Sequence, residues 1–140
     1  MTFRYLDSSN PNGTVYKRPT LLATFSNGED KLEQYSLIDS GADMSAIDYR
    51  IAKKLHLDLD GKKVTSFGVS GAVASVISEV TIEIGKGHEH YSFIIPIRVL
   101  FSNSEYVAPT LIGRRGFFDK FRITFDEANQ KVIIKNNRQE

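Results

Sequence analysis

In Tyr35-Ser36-Leu37-Ile38-Asp39-Ser40-Gly41-Ala42-Asp43-Met44-Ser45, an apolar, strand-like run leads directly into an acid, a small hydroxyl residue and a glycine. This order places the carboxylate of Asp39 at the end of a buried strand. Gly41 allows close backbone approach and a turn that most residues could not make, and Ser40 offers a hydroxyl to a neighbouring group. The same three residues also form ordinary β-turns, so the segment alone leaves a catalytic and a purely structural interpretation open.

The rest of the chain is predicted to be mostly β-structure. In one segment, Val76, Val80, Ile82 and Ile84 alternate with largely polar residues, which is the pattern of a strand with one buried face. Pro96 interrupts another apolar run and indicates an edge position or a bulge there. The segments with strand-like composition are Thr20–Phe25, Leu32–Ile38, Val76–Ile84, Tyr91–Leu100, and Ile123–Phe125 with Val132–Ile134 as a final hairpin.

Two short helices are predicted. The first begins after Asp48, a favourable N-cap residue, carries apolar residues at helical spacing and ends near His56. The second lies within Leu111–Phe121, and before the first strand Ser8–Gly13 has the composition of a loop. Three aromatic residues of the second helix are spaced to pack into the core: Phe117, Phe118 and Phe121.

Length and composition bound the class of protein. With 140 residues, the chain fits a single domain that buries roughly 68–70% of its unfolded surface. Its 18 basic and 17 acidic residues give a net charge of +1, so no strongly basic surface for nucleic acid is expected. The absence of cysteine excludes disulfides, thiol nucleophiles and cysteine-bound zinc. Met1–Asn10 lacks the pattern of a signal peptide, and no apolar run approaches the ~20 residues that span a bilayer. We therefore expect a soluble, cytoplasmic protein without a membrane partner.

Three motifs follow one another along the chain: Ile38-Asp39-Ser40-Gly41-Ala42, Phe67-Gly68-Val69-Ser70-Gly71 and Leu111-Ile112-Gly113-Arg114. The first resembles the active-site motif of the aspartic proteases, in which apolar residues precede Asp, Thr or Ser, Gly and Ala. The second lies between two strand-like segments and resembles the glycine-containing flap of retroviral-type proteases. The third resembles their second hallmark, two apolar residues and a glycine that lead into a short helix. The chain from about Thr20 to Lys135 therefore resembles the retropepsin-like group, including its bacterial members.

This resemblance implies an all-β acid-protease lobe, closed like a barrel, with residues 1–19 as an N-terminal segment and residues 20–140 as the protease domain. It implies that Asp39 is the catalytic residue of an endopeptidase that acts on peptides or proteins and needs no metal or cofactor. Because the chain has one Asp-Ser-Gly motif and is too short for two lobes, the second carboxylate must be Asp39 of another copy in a two-fold homodimer. The two carboxylates then share one proton around one water, since like charges so close together cannot both ionise.

The resemblance also implies roles for neighbouring residues. Ser40 corresponds to a hydroxyl residue that bonds across the dimer beneath the catalytic pair, and Gly41 and Ala42 correspond to the loop that lines the substrate cleft. Asp43 corresponds to an acid that pairs with the arginine after the second hallmark, here Arg114. Terminal strands interleave in the family, so the dimer interface is expected on the apolar face of the final hairpin: Ile123, Phe125, Val132 and Ile134.

Two other functions remain open from the residues. A non-catalytic peptide-binding or dimerisation module would keep the same fold without needing Asp39 beside its symmetry mate. A metal-dependent hydrolase would use His88 and His90, which flank Glu89 and face the same side of a strand. The simpler interpretation of the two histidines is a solvated hairpin tip next to Gly85-Lys86-Gly87, and we favour it over a metal site.

Overall fold

A computed structural model describes residues 1–68 and 71–137 of the chain, which form strands, one short helix and one helical turn. The helix α1 spans Tyr49–Lys54, and the helical turn spans Arg114–Phe118. The strands are β1 (Thr2–Arg4), β2 (Leu6–Ser9), β3 (Val15–Arg18), β4 (Thr20–Asn27), β5 (Asp30–Ile38), β6 (Ser45–Asp48), β7 (Val64–Gly68), β8 (Gly71–Lys86), β9 (Glu89–Phe101), β10 (Thr110–Ile112), β11 (Phe121–Asp126) and β12 (Lys131–Asn136). The predicted all-β class is confirmed.

Six strands close on themselves in the order β4-β5-β10-β6-β9-β8. The closure is made between β4 and β8, where Thr24 lies opposite Glu83 and Ser26 lies opposite Thr81. Two neighbouring pairs, β5 with β10 and β6 with β9, are parallel. β7 pairs with the first part of β8 as a hairpin. The closed barrel that the sequence predicted is therefore present.

The predicted apolar face of β8 fills the interior of this barrel. Val76, Val80, Ile82 and Ile84 are each at most 2% exposed, while Glu79 on the opposite face is exposed. This two-residue alternation is what a strand with one buried face requires. The neighbouring strand β9 contributes three further residues with no exposed surface: Ile95, Ile97 and Val99.

Pro96 lies in β9 just before that strand becomes a central one. Parallel pairing of β9 with β6 begins at Ile97, so at Pro96 only the β8 side is paired, opposite Glu79. A proline has no N–H to donate, and this placement keeps it out of the β6–β9 ladder. The edge position predicted from Pro96 is correct for that residue, whereas β9 as a whole is central.

The helix α1 begins where the sequence predicted. Asp48 caps it, and its carboxylate accepts a hydrogen bond from the N–H of Arg50 at 2.8 Å. The predicted second helix is a single kinked turn, because Arg115 and Gly116 depart from helical dihedral angles. Its aromatic packing is nevertheless as predicted: Phe117 and Phe121 are buried, with ring centroids 5.1 Å apart, and Phe118 is partly buried against the same core.

The first eighteen residues contain more regular structure than predicted. The loop expected at Ser8–Gly13 is the tip of a hairpin, in which β2 and β3 pair with Ser8 opposite Tyr16 and Ser9 opposite Val15. Ahead of it, β1 pairs antiparallel with β12. Ser8 and Ser9 have a composition typical of loops, but they pair with larger residues of β3 and therefore form part of a strand.

The final hairpin is confirmed as β11 and β12, and with β1 it forms a three-stranded sheet. Its apolar face packs against the chain's own core: Val132 and Ile134 have no exposed surface, and Ile123 is partly buried against them. Only Phe125 remains substantially exposed, at 36%. Val132 and Ile134 therefore belong to the chain's own core and are not open to a partner, while a dimer interface at this hairpin stays a prediction.

Among the described residues, no helix has the length and apolar character needed to cross a membrane.

Candidate active site

Asp39 follows the last residue of β5, at the point where two parallel strands end together. Ile38 of β5 lies in register with Ile112 of β10. The backbone N–H of Asp39 donates a hydrogen bond to the carbonyl oxygen of Ile112 at 2.9 Å, which continues the ladder by one residue. The first predicted motif and the second hallmark are thus neighbours in space.

The Asp-Ser-Gly turn fixes the orientation of the carboxylate. The N–H of Gly41 donates to Oδ1 of Asp39 at 2.9 Å, and the N–H of Ala42 donates to the carbonyl oxygen of Asp39 at 3.2 Å. Asp39 is half-buried, while Ser40 and Gly41 are exposed. The carboxylate is therefore held from one side by the chain's own backbone and accessible from the other.

Three hydrogen bonds join the loop after Asp39 to the second hallmark. The N–H of Arg114 donates to the carbonyl oxygen of Ala42, and the N–H of Arg115 to that of Asp43, both at 2.9 Å. The third bond runs from the N–H of Gly113 to the buried hydroxyl of Ser45 at 3.0 Å. The two loops therefore form one hydrogen-bonded unit around the catalytic candidate.

Gly113 is required in this unit because Met44 passes directly over it. A methyl carbon on Gly113 would lie 2.3 Å from the carbonyl carbon of Met44 and 2.4 Å from its oxygen. Carbon atoms in proteins pack best at about 3.5–4.0 Å, and contacts this short do not occur, so no side chain fits at this position. The glycine of the second hallmark thus serves close approach of two backbones.

Asp43 has a different partner from the one predicted. Its Oδ2 lies 3.7 Å from Nη2 of Arg98 on β9. Within residues 1–68 and 71–137, no ion pair joins Asp43 to Arg114, whose side chain is exposed. The predicted pair is therefore replaced by another, because Arg98 occupies the position beside the carboxylate and only backbone atoms connect Asp43 to the second hallmark.

The predicted flap lies where the paired strands β7 and β8 meet in sequence. Gly68 is paired with Gly71 across the two strands, and Phe67 next to it is 83% exposed. Val69 and Ser70, the remaining two predicted flap residues, lie outside the described residues. The described part of the flap is thus a β-hairpin that presents an aromatic side chain to solvent near its tip.

The segment 102–109, which connects β9 to β10, is held by a buried carboxylate. Asp48 has no exposed surface, and its Oδ2 accepts a hydrogen bond from the N–H of Ala108 at 2.8 Å. The guanidinium of Arg50 donates to both oxygens of Asp48, at 2.9 and 3.1 Å, and to the carbonyl oxygen of Ser104 at 3.0 Å. Because β10 follows at once and ends beside Asp39, this pair sets the path of the chain into the site.

Burial raises the pKa of the Asp48 carboxyl, but the N–H groups of Ala108 and Arg50 and the Arg50 guanidinium act in the other direction. The balance leaves the pKa of Asp48 below its ordinary value. The donors around Asp48 therefore favour its ionised form.

The histidines of the proposed metal alternative lie at the β8–β9 hairpin. His88 is in the exposed turn, and Nε2 of His90 lies 3.5 Å from Oε1 of Glu83. No group of three or more metal-ligating side chains occurs in the part of the chain that the structure describes. The arrangement matches the simpler interpretation, a solvated hairpin tip.

Three residues that shape the site were not predicted: Ser45, Arg50 and Arg98. Each contacts a partner far along the chain or a backbone atom, so no spacing rule identifies them. One indication was Asp48, predicted as a helix cap, although its contact with the N–H of Ala108 is formed only in the folded chain. Charge would have indicated Arg98, since an arginine in an otherwise apolar strand such as Tyr91–Leu100 needs a specific reason.

Comparison with known proteins gives similarity in structure only. No model of a protein family matches the sequence, and no curated protein matches it. The structure is similar to a retropepsin-like aspartic protease from Rickettsia conorii, with a TM-score of 0.56 and 15% identity over 94% of this chain and 97% of that chain. It is also similar to EIAV protease complexed with the inhibitor HBY-793, with a TM-score of 0.45 and 24% identity over 70% of this chain and 83% of that chain. The similarity to the Rickettsia conorii protease shows that the chain has the retropepsin-like fold.

Proposed function

We propose that the chain is an aspartic endopeptidase that works as a homodimer, with one Asp39 from each copy. The observation that carries the proposal is the unit formed by the Asp-Ser-Gly turn and the second hallmark, joined through Asp39 and Ile112. It presents one oriented carboxylate with an accessible side. The sequence has no second Asp-Ser-Gly motif, so a second copy must supply the other carboxylate.

The chemistry follows from two carboxylates that share one proton around one water. The ionised carboxylate takes a proton from the water while the water oxygen attacks the peptide carbonyl carbon. The protonated carboxyl gives its proton to the carbonyl oxygen. Collapse of the tetrahedral intermediate breaks the C–N bond, with a proton passing to the leaving nitrogen. Activity is expected to pass through an acidic optimum, because the pair must carry one proton.

Exposure around Asp39 supports the dimeric arrangement. Ser40 and Gly41 are exposed, as is the side chain of Arg114 on the adjoining loop. In an isologous interface, a residue that lies near the two-fold axis faces the same residue of the other copy. A two-fold interface at this face would therefore bring the two Asp39 side chains together. Peptide would then bind between this face and the flap hairpins.

The test is the substitution Asp39→Asn, which keeps the size of the side chain and removes the ionisable group. Peptidase activity against a casein or peptide library should be lost, while circular dichroism and sedimentation equilibrium stay those of the unmodified protein. Glu29→Gln, an equivalent change in the exposed β4–β5 turn, is the matched control and should leave activity unchanged. Full turnover by the Asp39→Asn protein would overturn the proposal.

A further inference from the structure

We propose that Arg98 is a specificity-determining residue that binds an acidic side chain of the substrate, an inference that rests on the proposed peptidase function. Arg98 lies in β9, opposite Ala46 of β6 and Ile77 of β8. Its guanidinium reaches Asp43, in the loop after the catalytic candidate, and Ser66, in the flap hairpin. It therefore lies between the two parts of the chain that would enclose a bound peptide.

The contacts of the Arg98 guanidinium are longer than normal charge-assisted hydrogen bonds. Nη2 is 3.7 Å from Oδ2 of Asp43, and Nη1 is 3.5 Å from the hydroxyl oxygen of Ser66. Charge-assisted hydrogen bonds of a guanidinium to a carboxylate are normally about 2.7–2.9 Å long. Neither contact has that length, so the guanidinium has no close carboxylate partner among residues 1–68 and 71–137.

Arg50 provides a comparison, because its guanidinium forms close hydrogen bonds within the same chain. Arg50 contacts both oxygens of Asp48, at 2.9 and 3.1 Å, and reaches the carbonyl oxygen of Ser104 at 3.0 Å. Both arginines are partly buried, with 29% of the Arg50 side chain and 21% of the Arg98 side chain exposed. Arg98 therefore has given up much of its hydration without gaining the bidentate contact that Arg50 has.

The carboxylate of Asp43 does not close this site to a ligand. Its side chain is 56% exposed, so its attraction to Arg98 is weakened by water and is worth little. A guanidinium has five N–H donors, enough for a second carboxylate beside the first. The planar fork matches a carboxylate in two parallel hydrogen bonds, so the ligand that best completes Arg98 is a Glu or Asp side chain.

Without Arg98, this part of the cleft would repel such a side chain. Asp39 and Asp43 both lie in the loop that a peptide must contact, and each carries a carboxyl group. Arg98 places a positive charge next to Asp43. An acidic substrate residue is thus favoured at the position along the peptide that faces Arg98.

The experiment uses fluorogenic peptides built on one sequence that the dimer cleaves, with Glu or Gln at each position on either side of the cleaved bond. At one position, Glu should lower KM roughly tenfold relative to Gln, with kcat little changed. Arg98→Gln should remove that difference, Arg98→Lys should keep part of it, and Asp43→Asn should increase it by removing the competing carboxylate. The control Arg122→Gln, at an exposed position of β11, should change nothing.

Failure of this inference is distinct from failure of the proposed function. Cleavage with no preference between Glu and Gln would overturn the role of Arg98. So would a preference that is removed by Arg114→Gln rather than by Arg98→Gln. Either result would leave the proposed peptidase activity intact. If no peptide is cleaved, the dissociation constants of the Glu and Gln peptides still decide the matter. Equal values for the unmodified and Arg98→Gln proteins would then overturn the inference, and a loss of the Glu preference in Arg98→Gln would support it.

Discussion

The hydroxyl of Ser45 accepts a hydrogen bond from the backbone N–H of Gly113 at 3.0 Å, although 68 positions separate the two residues along the chain. Both groups are buried, so neither is exchanged for bulk water in the folded chain. This bond joins the first residue of β6 to the glycine of the second hallmark. It is therefore one of the contacts on which the geometry around Asp39 depends.

Replacing Ser45 with alanine should destabilise the protein by roughly 1–3 kcal/mol, because the N–H of Gly113 would be left buried without an acceptor. Peptidase activity should fall as well, since the second hallmark would lose one of its three bonds to the loop. Chemical denaturation and initial rates measure the two effects. Ser92→Ala on the exposed side of β9 is the control, and a Ser45→Ala protein as stable as that control would contradict the expectation.

Gly113→Ala should be more damaging than Ser45→Ala. The added methyl carbon would lie 2.3 Å from a backbone atom of Met44, which cannot move by a change of rotamer. We expect a loss of roughly 3 kcal/mol or more, measured by urea denaturation. Gly87→Ala is the comparison: nothing lies within 4 Å of its added carbon, so that variant bears only the strain of its φ of +62°, about 1–2 kcal/mol. Equal losses in the two variants would rule out the close contact as the cause.

Asp48→Asn should destabilise the protein in a pH-dependent way. The folded-state pKa of Asp48 lies below its unfolded value, so the unfolded chain binds more protons and the stabilisation is present above the unfolded pKa. The difference in free energy of unfolding between the unmodified protein and Asp48→Asn should be roughly 3 kcal/mol near neutral pH. It should shrink as the pH falls below about 4. Urea titrations from pH 3 to pH 7 measure it, with exposed Asp60→Asn as the control. A difference independent of pH would contradict the role of the ionised carboxylate.

The final hairpin should behave as part of the core of each chain. Ile134→Ala should cost about 3 kcal/mol, because the side chain has no exposed surface. Phe125→Ala should cost about 1 kcal/mol, because a third of that side chain is already exposed. Deleting residues 131–140 should abolish the fold rather than release a folded monomer. A truncated chain with the dispersed amide spectrum of a folded protein would show that the hairpin is dispensable.

Activity should depend on the concentration of the chain. If each site needs two copies of Asp39, specific activity should decline on dilution as the dimer dissociates, because an assembly's population follows protomer concentration. Initial rates over a thousandfold dilution, set beside sedimentation data for the same samples, measure this. Specific activity that stays constant while the chain sediments as a monomer would refute the shared site.

Local patterns were sufficient for the parts of the structure with a regular period or a fixed motif. The buried face of β8 follows from residues that alternate, and the Asp48 cap of α1 follows from one residue before an apolar helical pattern. The position of Asp39 at the end of β5 also follows from its own neighbours in sequence. In each case the physical cause lies within about ten residues of its effect.

Contacts between distant segments could not be predicted in the same way. Asp43 was paired with Arg114 on the basis of a family resemblance, but the barrel brings Arg98 beside it. The apolar face of the final hairpin was predicted to be an interface. The core of a domain is also apolar, since both surfaces are removed from water, so apolar composition does not distinguish them. Whether Val132 and Ile134 face a partner or their own chain is decided by where β1 and β12 pair, which composition does not reveal.

The parallel pairing of β5 with β10 has a consequence for the order of folding. Ser36 and Thr110 are partners, and about half of the chain lies between them. Contacts of such long sequence separation form slowly, because a large loop must close before they give any stabilisation. While the chain is still being synthesised, the Asp-Ser-Gly segment therefore lacks its partner strand β10 until residue 112 is available. The end of β5 that carries Asp39 therefore gains its partner strand late, when most of the domain has already been made.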